Sequence, residues 1–377
     1  MRSKLALLSM LSVTALSAGS VQAAESAITQ ERDVPAFDTV IVSRGVDTDL
    51  SIGAQTRVTL EGKQDELDRI HTEVRDGRLY VNDTHRGGIE LCFFVCSDRH
   101  RPMVHIVTPK LAEFDNDGSG DASLQGLSGD RLNVRLDGSG DVRADGHVQE
   151  LHLVVSSSGD AYFEHLSADT MNVSLNGSGD FASGGPRKAV KLTMTSSGDA
   201  RLRDLDVETM EINLDGSGDV TAGGKAKVLN LAMSGSGDAH LGSLDAGSVD
   251  AAVGGSGGLL LDGAGEALKL KLSSSGDVRL RQVAVEQADI TLSGSGGVTA
   301  QGSSKAVRVT VASSGGADLA QLVADRVEVD DSGSGDVSVH ADRSLHAHAL
   351  SSGDIIWRGQ AGDVNAQSSG SGSIRHQ

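Results

Sequence analysis

The residues with the clearest chemical potential are aspartates that recur at regular glycine-rich turns. The tetrapeptide Gly-Ser-Gly-Asp occupies residues 118–121 and 138–141, and close variants follow to residue 377. Most of the 14 turns carry an acid in the fourth position: Asp121, Asp141, Asp160, Asp180, Asp199, Asp219, Asp238, Asp277, Asp336 and Asp354. The other four turns have an uncharged residue there: Gly258, Gly297, Gly316 and Ser373.

This row of carboxylates supports two interpretations. Clustered carboxylates and turn carbonyls are the hard oxygen ligands that Ca²⁺ prefers, which makes the first eight aspartates, Asp121 to Asp277, candidate calcium ligands. Alternatively, each aspartate accepts a backbone N–H bond at its turn, a common structural role of this residue. Neutral glycine in three turns argues against an obligatory metal, and no other cofactor is predicted.

Two cysteines flank a short apolar stretch at Cys92 and Cys96. In an extended strand their Cα atoms would lie too far apart, because a disulfide needs them within about 7 Å. An oxidising, exported environment nevertheless favours a local disulfide in a looped hairpin. A metal site that adds His100 or His105 is the alternative, although a second cysteine pair is missing.

Three histidines near the C-terminus, His340, His346 and His348, form the other candidate metal-binding group. His346 and His348 alternate with apolar residues, so we expect them on the outer face of a strand. Zinc or copper could bind such residues, but surface histidines without a carboxylate partner are usually only solvated.

The sequence lacks the features of a polysaccharide-cleaving β-helix. Such enzymes need a pair of carboxylates in a groove and aromatic platforms for the sugar rings. Tyr80, Tyr162 and Trp357 are dispersed, and no pair of acids departs from the repeated pattern. The sequence therefore predicts a protein that is not an enzyme, with a β-helical polysaccharide-acting enzyme as the alternative.

The spacing of the repeats predicts the strands and turns that position these residues. The turns follow one another at alternating intervals of about 19 and about 20 residues, and fixed self-similarity of this kind indicates a solenoid. Each repeat also carries three apolar residues at a spacing of two, which predicts a strand with one buried face. Examples are Leu132/Val134/Leu136, Leu151/Leu153/Val155 and Val307/Val309/Val311.

We therefore predict an all-β fold, a single-stranded parallel β-helix of the right-handed kind with one coil per repeat of about 19–20 residues. Alternate repeats differ slightly, so one coil per pair of about 39 residues is the alternative. The chain holds 48 glycines among 377 residues but only six Phe, two Tyr and one Trp. Glycines suit the tight corners, and we expect a narrow interior with little room for rings.

Charge and the N-terminal segment restrict the location and partners. A formal net charge of −19 argues against nucleic acid as a partner. Residues 1–23 read as a signal peptide, with Arg2 and Lys4 before an apolar stretch and a small-x-small site at residues 21–23. No later apolar run is long enough for a transmembrane segment. We expect an exported protein, with residues 24–112 as an irregular N-terminal β cap and 113–377 as the repeat β-helix.

Several stretches resemble one protein family. They are Phe37-Asp38-Thr39-Val40, residues 76–81, residues 107–111, the repeated Gly-Ser-Gly-Asp, and the closing Ser352-Gly353-Asp354-Ile355 with Trp357 and Gly359. This combination is similar to the head domain of auto-transporter adhesins, the GIN domain, over residues 34–377.

The resemblance implies an exported bacterial β-helical protein that is periplasmic, surface-bound or secreted. The function predicted from it is adhesion or cell-envelope interaction through repetitive acidic faces, with an unidentified protein or glycan of the envelope or surface as partner. A periplasmic structural scaffold with calcium-binding turns is a further alternative.

Overall fold

The computed structural model describes residues 27–84 and 101–377 as one stack of β-coils. Strands make up 67% of it, helix is almost absent, and the parallel coils form a solenoid of about 13 turns. The predicted all-β parallel solenoid is thereby confirmed. The predicted signal peptide, residues 1–23, lies outside the described residues.

The N-terminal part mixes parallel and antiparallel pairing. Its elements are β1 (Ile28–Arg32), β2 (Thr39–Ser43), β3 (Asp47–Ile52), β4 (Arg57–Gly62), α1 (Gln64–Leu67), β5 (Ile70–Arg75), β6 (Arg78–Asp83) and β7 (Met103–Thr108). Strand β2 stacks in parallel between β6 and the first repeat strand, β8 (Glu113–Asn116), and β3 between β7 and β9 (Ala122–Leu136). Strand β4 runs antiparallel to β1 and β7. The β5–β6 hairpin turns at Asp76 and Gly77, with φ of +50° and +74°.

The repeats supply the remaining strands. They are β8 (Glu113–Asn116), β9 (Ala122–Leu136), β10 (Val142–Val155), β11 (Ala161–Leu175), β12 (Phe181–Gly184), β13 (Ala189–Met194), β14 (Ala200–Leu214), β15 (Val220–Met233), β16 (Ala239–Val253), β17 (Leu259–Leu272), β18 (Val278–Leu292), β19 (Val298–Val311), β20 (Ala317–Asp331), β21 (Val337–Ala349), β22 (Ile355–Arg358), β23 (Asp363–Ser368) and β24 (Ile374–His376).

The strand register shows that each repeat forms one complete coil. Leu151 pairs with Leu132 of the preceding repeat on one side and with Met171 of the following repeat on the other. Within a coil, alternation of buried and outward residues is broken at two corners, which divides the coil into three faces. In β11 the buried positions of the three faces are Ala161/Phe163, Leu166/Ala168 and Met171/Val173/Leu175. The apolar triplets predicted from the sequence are thus the inner side of the third face.

The two repeat lengths produce two alternating kinds of coil. The longer coil places a leucine such as Leu166 at the first corner, and the shorter coil places a glycine such as Gly146 beside it. Gly146 has φ of +122°, and a Cβ there would lie 2.2 Å from the carbonyl oxygen of Leu127. The difference between alternate repeats therefore reflects alternating corners within a stack of single coils, and the alternative of one coil per pair of repeats was wrong.

The core accommodates more rings than expected. Phe114, Phe163 and Phe181 are fully buried, and the last two rings meet edge to face with centroids 6.2 Å apart. Phe163 lies beside Ser183, and Phe181 lies between Ala161 and Ala200 of the neighbouring coils. Little room for rings was expected, and these three fit because small residues in the adjacent coils provide the space.

Candidate binding surface

The structure aligns the turn aspartates in one column, which we call the turn row: the fourth turn residue of each coil, from Asp121 to Ser373. Each carboxylate accepts the backbone N–H of the next residue in the row. Asp121 Oδ1, for example, lies 3.0 Å from the nitrogen of Asp141, and Asp219 Oδ1 lies 2.8 Å from that of Asp238. The row begins earlier than the sequence predicts, because Asp47 Oδ1 accepts the N–H of Asp121 at 3.0 Å.

These bonds give the aspartates a structural role between coils. A bond from an N–H to a carboxylate is charge-assisted and stronger than a neutral one, which offsets repulsion between carboxylates at the coil spacing. At the end of the row, the N–H and hydroxyl of Ser373 hold the pKa of the Asp354 carboxyl below its usual value. Within residues 27–84 and 101–377, no group of three or more His, Cys, Asp or Glu could hold a metal ion. The calcium interpretation stays a prediction.

The row is interrupted where glycine replaces aspartate. Without a carboxylate at Gly258, Gly297 and Gly316, the N–H groups that follow them in the row have no acceptor among the described residues. They belong to Asp277, Gly316 and Asp336. A Cβ at Gly297 would meet nothing nearer than 3.5 Å, and its φ is outside the left-handed region. Backbone geometry therefore does not require glycine there.

A cleft of about 370 Å³ opens at the two adjacent interruptions, and we call it the gap cleft. Polar groups of four successive coils surround it. Its lining includes Gly297 and Gly316 with Asp277, Arg279, Thr299, Asp318, Asp336 and Ser338. The coils from Asp121 to Gly258 have a carboxylate bond at each step, so this cleft lies where two successive bonds of the row are missing.

A second cleft, of about 610 Å³, lies on the outer side of the third face. Ala306 forms its floor between Gln287 and Arg326, and His346 lines its edge. As predicted, His346 and His348 point outward. His348 Nδ1 lies 2.9 Å from Asp330 Oδ1, a carboxylate contact that the sequence pattern does not indicate.

Among the described residues, the other candidate metal ligands make only local contacts. His340 Nε2 lies 3.1 Å from Asp342 Oδ1, and His105 Nε2 lies 3.1 Å from Glu61 Oε2. Each of these contacts joins one histidine ring and one carboxylate at the surface. Cys92, Cys96 and His100 lie outside the described residues, so the disulfide stays a prediction.

Two aromatic side chains outside the core, Tyr162 and Trp357, contact neighbouring side chains. The Tyr162 hydroxyl donates to Asp160 Oδ2 at 2.8 Å, and this bond raises the pKa of Tyr162 to about 12. The Arg143 guanidinium lies 4.9 Å from the centre of the same ring. Trp357 packs against His376 with centroids 4.0 Å apart. The described surface therefore has no row of rings suited to stacking on a sugar chain.

Comparisons with solved structures give similarities at low identity. A "putative adhesin" from Bacteroides fragilis is 13% identical over 94% of this chain and 98% of its own, with a TM-score of 0.24. A "putative lipid binding protein" from Parabacteroides distasonis is 15% identical over 93% and 96%, with a TM-score of 0.26. A "putative cell adhesion protein" from Clostridium sporogenes is 13% identical over 62% and 98%, with a TM-score of 0.23.

A comparison with curated proteins found no match. No helix in the described parts of the chain is long and apolar enough to cross a membrane. The family described as "Putative auto-transporter adhesin, head GIN domain" matches residues 36–185, 182–261 and 259–361. These matches follow one another along nearly the whole solenoid, and the chain therefore belongs to that adhesin head family.

Proposed function

We propose that the protein is an exported, non-enzymatic binding protein that acts in adhesion or cell-envelope contacts through the repetitive acidic edge of its solenoid. The observation that carries the proposal is the unbroken part of the turn row, from Asp121 to Asp238, in which every carboxylate is at least partly exposed. Membership of an adhesin head family supports the same role.

The acidic edge suits many weak contacts with a repetitive partner. Carboxylates held by backbone N–H bonds repeat at the coil spacing of about 4.8 Å along a stiff stack. Binding to several repeated groups at once raises avidity without a strong single site. The partner is a protein or glycan of the cell envelope or surface that carries donors or cations at a regular spacing.

The experiment measures adsorption of purified protein to intact cells and isolated envelopes, together with antibody labelling of intact producing cells. The variant replaces Asp141, Asp180 and Asp219 with Asn, which keeps an Oδ1 acceptor for the N–H but removes three charges. We expect at least a tenfold loss of adsorption. The control replaces three exposed acids outside the row, Asp130, Glu208 and Glu286, with their amides.

Three results would contradict the proposal. Equal adsorption of both variants would exclude the row as the binding surface. Protein that is inaccessible on intact cells would exclude the adhesion part of the proposal and favour the periplasmic scaffold. Cleavage of a polysaccharide by the purified protein would establish the enzyme alternative.

A further inference from the structure

We propose that the gap cleft binds the hydroxyl groups of a neutral carbohydrate. The inference rests on the proposed binding function and assigns it a second, local site away from the continuous acidic row. Three features carry it: two backbone donors without acceptors among the described residues, carboxylates beside them, and an open position at Gly297 that a side chain could occupy.

The donors define where a ligand oxygen belongs. In the continuous row, a carboxylate oxygen lies 2.7–3.0 Å from the fourth turn nitrogen of the next coil. The N–H of Gly258 donates to Asp238 Oδ1 at 2.7 Å, and the N–H of Asp141 donates to Asp121 Oδ1 at 3.0 Å. Gly316 and Asp336 line the gap cleft, and the residues before them in the row, Gly297 and Gly316, have no side-chain oxygen to accept their N–H groups. A ligand oxygen in either position would complete the pattern that the other coils make with their own side chains.

The neighbouring charges select the kind of oxygen. Asp277, Asp318 and Asp336 line the cleft, and one cation, Arg279, lies 3.7 Å from Asp277 Oδ2. This excess of carboxylates would repel an anionic ligand. The N–H donors, which carry partial positive charge, would repel a metal ion. A hydroxyl accepts from an N–H and donates to a carboxylate at the same time.

The other side chains that line the gap cleft also suit a ligand with several hydroxyl groups. Thr299 and Ser338 place two more hydroxyls beside the cleft, on either side of the Gly316 coil. No aromatic ring lines the cleft, so the sugar would be held by hydrogen bonds alone. We therefore expect a dissociation constant on the order of 1 mM for a short oligosaccharide.

The experiment uses the full chain and three neutral probes: maltohexaose, mannohexaose and chitohexaose. Amide spectra of ¹⁵N-labelled protein are recorded with each probe up to a concentration on the order of 10 mM. We expect at least one probe to shift the Gly316 and Asp336 amide signals. Gly297→Asp, which fills the cleft with the missing carboxylate, should weaken that binding at least tenfold without lowering the melting temperature.

A matched pair of threonines provides the control. Thr221 and Thr299 follow the first buried valine of their coils, in the continuous and the interrupted part respectively. T299A should weaken sugar binding and T221A should not.

The inference is overturned if none of the neutral probes shifts the two amides, if only hexagalacturonate or calcium chloride does, or if G297D binds the sugar as well as the original protein. Adsorption to cells separates the two proposals. G297D with normal adsorption but no sugar binding leaves the acidic row as the cell-binding surface. Normal sugar binding by a protein that does not adsorb to cells contradicts only the function proposed for the row.

Discussion

The coils from Asp121 to Asp238 and those from Asp277 to Asp336 share one backbone but differ in a side chain at the turn. The N–H of Gly218 donates to the Ser196 carbonyl at 3.1 Å, and the equivalent bond from Gly296 to Ser274 is 2.9 Å. This backbone bond is kept at the two adjacent interruptions, where the carboxylate bond between coils is lost. Stacked glycine backbones therefore form the turn. The aspartate adds a hydrogen bond between coils, and where glycine replaces it the turn remains and the position of the carboxylate is open.

The largest effect is expected from the glycine that both regions share, the third residue of the turn. A Cβ at Gly218 would lie 1.9 Å from the carbonyl oxygen of Gly198, whereas a Cβ at Gly297 would have ordinary contacts. Gly218→Ala should destabilise the protein by about 3 kcal/mol or more, because backbone must move. Gly297→Ala should change stability by less than about 0.5 kcal/mol. Urea unfolding followed by circular dichroism checks both, and equal stability of the two variants would contradict this account of the turn.

The next effect concerns a buried acid in the interrupted region. Asp331 is fully buried at the inner end of its strand, and its Oδ1 accepts the N–H of Gly333 at 2.9 Å, while its Oδ2 has no partner. Asn116 occupies the equivalent position in the first repeat turn, where its Nδ2 also donates to the Gly120 carbonyl at 2.9 Å. Asp331→Asn should therefore add a donor and stabilise the protein at pH 7 by about 1–2 kcal/mol.

The sign of the pH dependence follows from burial, which raises the pKa of Asp331. Protonated Asp331 therefore favours the folded state. Its contribution to stability is fully present below about pH 4 and is lost as pH rises through the raised pKa of the folded protein. Burial also raises the pKa of Asp115, to about 6, with the same sign. The measurement is therefore the difference in melting temperature between D331N and the original protein at pH 4 and pH 7. An equal difference at both pH values would show that Asp331 does not titrate there.

A smaller effect is expected from opening a gap in the continuous row. Asp219→Ala removes the acceptor of the Asp238 N–H and should cost about 1 kcal/mol. Asp215→Ala removes a charge from the same turn without breaking a row bond, and it serves as the control. A melting temperature that falls equally in both variants would attribute the loss to charge rather than to the hydrogen bond.

The architecture was predictable because its causes are local and repeated. The regular spacing of the glycine turns and triplets such as Leu132/Val134/Leu136 determine which residues stack. The partner of each aspartate was not predictable, since a turn acid can bond within its own turn or to the next coil. Asp47 was missed because no Gly-Ser-Gly precedes it. The gap cleft depends on the same hydrogen bonds between coils, which the sequence does not reveal. Glycine at position 297 therefore does not indicate a cleft by itself.

Filling the gap should have a modest stabilising effect. Gly297→Asp supplies an acceptor for the free N–H of Gly316, and adjacent carboxylates are already tolerated elsewhere in the row. We expect a gain of about 0.5–1 kcal/mol, measured as a higher melting temperature. A lower melting temperature would show that the interrupted coils differ in backbone as well as in side chain.

The smallest effect is expected from removing calcium. In the continuous row one oxygen of each carboxylate already binds an N–H, as Asp141 does with Asp160 at 3.0 Å. A ligand changes stability only if it binds the folded protein better than the unfolded chain. Because these oxygens are already bonded in the folded protein, we expect no such preference for calcium, and a chelator should shift the melting temperature by less than about 1 °C. A fall in EDTA that calcium reverses would instead support the calcium interpretation. Asp219→Ala would then locate the ion, because breaking the continuous row should abolish the calcium effect, whereas Gly297→Asp in the interrupted part should preserve it.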